Sequence, residues 1–185
     1  MGGRLSNLPT LLPEGACGRT GRWRKIAAMT TWNQSGGDFA ELWGDTLQDL
    51  YDEMNGWSLD EVGRCSWHPV LNLEWDNSQV VTGATLTVDI EVLVPAWAKR
   101  GDANDPVRAE WDRWSEALMT HEMGHYNLAY QYLDNYEAAL IGMPKDDAWA
   151  AFEQVKQDLQ TASNGYDTST NHGINQGTTL DTSIT

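Results

Sequence analysis

The segment His121-Glu122-Met123-Gly124-His125 constrains this chain more than any other. Residues four apart share one face of a helix, so two imidazoles at this spacing reach a single ion, and the glutamate between them sits beside any water that ion holds. The motif also continues a helical stripe. Trp111, Trp114, Leu118, His121 and His125 step by three and four, which makes the histidines an extension of the buried face of their own helix. A fold for this chain must therefore bury two imidazoles and a carboxylate on a surface that it also uses for packing.

The rest of the chain reads as mixed α and β. Phe39, Leu42, Trp43, Leu47, Leu50, Tyr51 and Met54 have the spacing of one helix face, with Asp38 and Glu41 as a capping box and Gly56 as the stop. Cys65, Trp67, Leu71, Leu73 and Trp75 alternate with polar residues, as do Leu86, Val88, Ile90, Val92 and Val94. With a turn at Asp76-Asn77-Ser78, these two stretches are expected to pair antiparallel, the second ending at Pro95. Asp105 and Pro106 open the motif helix, which is expected to run to about Ile141. Gly142 and Pro144 break it. A further helix carries Trp149, Phe152, Val155 and Leu159 on one side. Beyond Ser163 the composition is Ser, Thr, Asn, Gly and Asp, which reads as a disordered tail.

Length and charge narrow the function. A chain of 185 residues suits a single domain, expected over residues 29–185. Residues 1–28 hold five of the twelve basic residues among Gly and Pro. They read either as a disordered leader or as sequence upstream of a start at Met29, with no apolar stretch of a secretory signal. Twenty-seven acidic against twelve basic residues leave a formal charge of -15, which argues against nucleic acid or an anionic membrane as partner. No apolar run approaches the roughly 18 residues of a membrane span. Cys17 and Cys65 could form a disulfide, although Cys65 alone reads as a small buried apolar residue.

The motif supplies two ligands where a catalytic zinc takes three and keeps a fourth position for water. The pattern with a third His six residues past the second is excluded, because Gln131 stands there and Leu128 occupies the position of the required Gly. Glu137 and Glu153 are downstream carboxylates with no signature around them. His172 remains, in a segment that also holds Tyr166 and Asp167 and that could fold back over the site. Asp167 reads as a turn residue or as an orienting partner for an imidazole. His68, between Trp67 and Pro69, reads as a strand residue on a polar face.

Taken together, Leu93-Val94-Pro95-Ala96-Trp97, Trp111, Trp114, His121-Glu122-Met123-Gly124-His125, Tyr166-Asp167, Thr170, His172-Gly173 and Gln176-Gly177 resemble a bacterial domain-of-unknown-function family whose members are labelled predicted secreted zinc-dependent proteases. The resemblance spans about residues 30 to 180. It implies a zincin-like α+β fold, with a small antiparallel sheet packed on a long active-site helix between N-terminal and C-terminal helices. It implies one Zn2+ per chain on His121, His125 and His172, and a secreted or periplasmic location. A second cysteine in the helical part, expected from the family, is missing here.

On this reading Glu122 is the general base that activates water against a peptide or amide carbonyl of a peptide or protein substrate, and Tyr166 donates to the oxyanion. The strand Thr85–Val94 is expected to offer its edge to an extended substrate. The competing reading is a non-catalytic binding or assembly protein stabilised by the same zinc.

Overall fold

The computed structural model describes residues 28–57 and 62–185. The leader and Cys17, and with it any pairing of Cys17 with Cys65, lie outside the described residues. The elements in chain order are β1 (Ala28–Leu42), α1 (Leu47–Asn55), β2 (Arg64–Trp75), β3 (Val81–Trp97), α2 (Asp105–Leu133), the short α3 (Tyr136–Ala139) and α4 (Lys145–Thr170). The architecture is α+β, with helices packed on a small sheet.

That sheet has the order β1-β3-β2. β2 and β3 form the expected antiparallel hairpin, turning at Asp76, whose carboxylate accepts the backbone N–H groups of Ser78 and Val80. β1 pairs parallel with β3 on its other side, so the sheet is mixed and not purely antiparallel. α1 is what permits this, since it carries the chain from β1 past the site of β3 to β2 on the far edge. β3 is consequently the central strand, and the free edge toward α4 belongs to β2. The expected substrate-pairing edge at Thr85–Val94 is thereby corrected.

The N-terminal helix expected from Asp38 starts nine residues later. Thr46 is its N-cap: the Thr46 hydroxyl accepts the Asp49 N–H at 3.1 Å, and the Asp49 carboxylate accepts the Thr46 N–H at 3.0 Å. This capping box satisfies two of the orphan donors that every helix start exposes. Residues 38–42 are taken by the strand pairing with β3 instead, through a register irregularity between Asp38 and Glu41. The irregularity lies opposite Pro95, which has no N–H to give to the ladder, and β3 runs on to Trp97.

α2 begins at the Asn104 cap with Pro106 in its first turn and ends at Leu133, short of the expected Ile141, because Asn135 turns left-handed with φ 59°. Its buried face is the predicted stripe: Val107, Trp111, Trp114, Leu118, His121, Glu122, His125, Ala129 and Leu133. The first four join Leu42, Leu47, Leu50, Met54 and Trp97 in one apolar core. Ala129 and Leu133 join a second, made with Leu86, Val88 and Ile90 of β3 and Phe152, Val155 and Leu159 of α4. The polar triplet of the motif lies between the two cores.

α4 corrects the expected tail. The helix continues through Ser163 to Thr170, although Asn164, Gly165 and three Thr or Ser residues are weak helix formers. Ser163 and Thr170 are buried, and the hydroxyls of Thr168 and Thr170 back-bond to the carbonyls of Asn164 and Tyr166. The polar face of this last stretch looks into the molecule because the surface it meets on α2 is itself polar. Residues 177–181 then dock on α2: Trp114 Nε1 donates to Thr178 O, and Arg113 donates to Gly177 O and Thr179 O. Leu180 enters the first core.

The two capping readings make opposite predictions. Thr46→Ala is expected to lower stability by about 1 kcal/mol and Asp38→Ala to change it by less than about 0.5 kcal/mol, measured by urea unfolding.

Candidate metal centre

Three ligand atoms converge where α2 faces α4. Asp167 Oδ1 lies 2.8 Å from His125 Nε2 and 3.4 Å from His121 Nε2. His121 is 4% and His125 6% exposed. Oδ1 is buried and, among the described residues, accepts no hydrogen bond. Among the described residues this is the group whose donor atoms meet as metal ligands do. Ligands about 2.0–2.1 Å from a tetrahedral zinc stand about 3.3 Å apart, close to the 3.4 Å between Asp167 Oδ1 and His121 Nε2 and wider than the 2.8 Å to His125 Nε2. Two imidazoles and a carboxylate are donors that zinc accepts, and a cation supplies the partner that the buried oxygen lacks.

The surroundings orient both rings. His121 Nδ1 is 2.9 Å from Gln176 Oε1, and His125 Nδ1 is 2.8 Å from Ser163 Oγ. In the neutral imidazole, a proton shared with these oxygens at Nδ1 leaves the Nε2 lone pair facing Asp167. Gln176 gives its amide to Tyr166 Oη at 2.9 Å, and the Tyr166 ring stacks on His121 with centroids 5.2 Å apart. Gly124 makes this possible. A Cβ there would stand 2.1 Å from Tyr166 Oη, so the motif glycine is the gap in α2 that receives the phenol.

Glu122 is 2% exposed and sits on the wall of two clefts. Gly63, just ahead of β2, passes so close that a Cβ would lie 2.6 Å from Glu122 Oε1. One cleft, of about 360 Å³, is polar and is walled by Ser66, His125, Gln160, Asn164 and Asp167. The other, of about 370 Å³, is walled largely by apolar side chains together with His121 and His172. Cys65 lines the polar cleft; burial, aided by the Glu122 carboxylate, pushes its thiol up to about 12. It behaves as a packing side chain.

The expected residues divide as follows. His121, Glu122 and His125 occupy the centre. His172 is exposed, in left-handed backbone just past α4, and it shares the apolar cleft with His121 and Glu122 but is not among the converging donors. Tyr166 touches both imidazoles yet lines neither cleft. Glu137 is buried on α3 and accepts the Thr30 hydroxyl, while Glu153 is exposed and paired with Lys156, so neither reaches the site. His68 is exposed on β2, opposite Asp89.

Asp167, read from the sequence as a turn residue or an orienting partner, stands instead among the converging donors, and Gln176, quoted only for the family resemblance, is what braces His121. The available signal was the step Ser163, Asp167, Thr170, a helical stripe of small polar residues obscured by a composition typical of loops.

The chain matches, over residues 38–173, a family described as bacterial protein of unknown function (DUF922). No curated protein and no solved structure matches it.

Two substitutions separate ligand from neighbour. Asp167→Ala is expected to abolish stoichiometric zinc binding and His172→Ala to retain it, read by metal analysis after dialysis. Gln176→Ala is expected to weaken zinc about 10- to 100-fold in competition with a chromogenic chelator, because the His121 ring loses its brace.

Proposed function

The chain belongs to that bacterial family, and from this premise we propose that it is a zinc-dependent hydrolase of peptide or amide bonds, a metallopeptidase of zincin-like architecture with one zinc per chain. The observation that supports the reading above all others is the convergence of His121 Nε2, His125 Nε2 and the buried Asp167 Oδ1 beside Glu122. These three atoms would hold the ion. When bound, zinc supplies Lewis acidity toward a water molecule and toward a scissile carbonyl.

The chain's own groups do the rest. Glu122, between the two imidazoles in sequence and on the wall of both clefts, takes the proton of the attacking water and passes it to the leaving amine. Its burial keeps bulk water away from that transfer. The oxyanion donor is better sought at His172 than at Tyr166. His172 faces the apolar cleft beside His121 and Glu122, whereas the Tyr166 hydroxyl is turned onto Gly124 and Gln176. Tyr166 acts as a positioning residue, holding the His121 ring by stacking.

An extended substrate would lie along the free edge of β2, where Cys65, Ser66 and Trp67 border the polar cleft. Against the alternative of a purely structural zinc stands the donor count: a structural site is closed by four protein ligands, and three converge among the described residues.

Glu122→Gln is expected to keep about one zinc per chain and to lower hydrolysis of quenched fluorescent peptides about 100- to 10,000-fold. An unchanged rate in that variant rules out the role given to Glu122. His172→Ala is expected to lower kcat about 100-fold with little change in KM, as loss of a single oxyanion donor does.

A further inference from the structure

The two clefts that meet at Glu122 differ in chemistry, and the difference bears on what can be bound. The polar cleft, on the side of His125 and Asp167, is walled by hydroxyl and amide side chains of β2 and α4. The cleft on the side of His121 is walled by Tyr51, Met54, Trp114, Leu118, Ile174 and Leu180, contributed by α1, α2 and the segment after α4. Met54, Trp114, Leu118 and Leu180 belong to one of the two apolar cores, so the floor of this cleft is continuous with packed hydrocarbon. Ile174, 53% exposed, stands at its rim. His121 and Glu122 form part of its wall, and whatever fills it abuts the metal donors directly.

We propose that this cleft is a specificity pocket that takes a bulky apolar side chain, aliphatic or aromatic, from the substrate residue on one side of the scissile bond; this rests on the hydrolase reading above. A volume of about 370 Å³ holds a leucine or phenylalanine side chain with room for the adjoining backbone. Filling it removes apolar surface of both protein and substrate from water, and Tyr51, Met54, Trp114, Leu118, Ile174 and Leu180 carry no charge that would have to be desolvated; Glu122 lies on the wall shared with the polar cleft. The residue on the other side meets Ser66, Gln160 and Asn164, and a polar side chain is accommodated there at no such gain. The substrate class is therefore peptides with a hydrophobic residue at one position beside the cleaved bond, and not small or acidic residues at that position.

The test uses the full chain carrying zinc, with a binding readout that needs no turnover. Leucyl, phenylalanyl and alanyl hydroxamates are titrated into the Glu122→Gln variant, whose metal content is measured first. The expected result is binding about 10- to 100-fold tighter for the two bulky hydroxamates than for the alanyl one. Ile174→Asp at the exposed rim is expected to reduce that preference to less than about 3-fold without loss of zinc. Met54→Trp, which fills the pocket, is expected to shift cleavage of a peptide library toward small residues.

Zinc binding with equal affinity for all three hydroxamates, or a preference untouched by both substitutions, overturns the pocket and leaves the hydrolase reading standing. A protein that binds no zinc overturns both.

Discussion

A carboxylate oxygen that is buried and accepts no hydrogen bond costs free energy unless a cation stands beside it, and Asp167 Oδ1 is such an atom. The geometry around the site is the one that the proposed cation would require. Two imidazoles must turn their Nε2 lone pairs inward, so their Nδ1 atoms need partners, and Ser163 and Gln176 provide them. Those partners must come from elements that cross α2, so α4 has to remain helical far enough to place Ser163 and Asp167 one turn apart on a single face. The chain after it has to fold back to deliver Gln176.

α2 bears two demands at once. Along one stripe it supplies apolar side chains to the core under α1, then the polar triplet, then apolar side chains to the core under the sheet. The packed regions on either side fix the helix axis, so the imidazoles are held by a rigid element and not by a loop. Close approach around the triplet depends on absent side chains. Gly124 admits the Tyr166 phenol and Gly63 admits the Glu122 carboxylate, each at a distance that a methyl group would block. A glycine in a helix interior costs about 1 kcal/mol relative to alanine, and at Gly124 the stacking of Tyr166 on His121 offsets it.

The segment after α4 is the third requirement. Asn171, His172 and Gly173 take left-handed backbone in succession, which reverses the chain directly over the site. Arg113 and Trp114 then hold it by its carbonyls, and Leu180 anchors it in apolar surroundings. Because Gln176 lies within the reversal, the orientation of His121 is tied to the docking of residues more than fifty positions away. The same segment contributes His172 and Ile174 to the apolar cleft, so the orientation of the His121 imidazole and the shape of the proposed binding surface depend on one piece of chain.

Much of this was legible from residues alone, for a common reason: periodicity and motif spacing are local. The stripe from Trp111 to His125, the β2–β3 hairpin with its Asp76 turn, the stop at Gly56 and the placement of Glu122 between two imidazoles each depend on residues within a few turns or along one strand. What local pattern could not decide was competition between elements. Residues 38–42 carry a helical spacing, yet β3 offers them a ladder of hydrogen bonds and Thr46 offers a better cap, so they extend a strand and make the sheet mixed. The polar run after Ser163 has the composition of a loop and becomes helix because the surface it meets on α2 is polar. That tertiary contact brings Asp167, and not His172, into line with the two imidazoles. Sequence determined that one helix carries two imidazoles and a carboxylate and which face it uses for them; only the packing of α4 against that face decided that Asp167, and not His172, meets them.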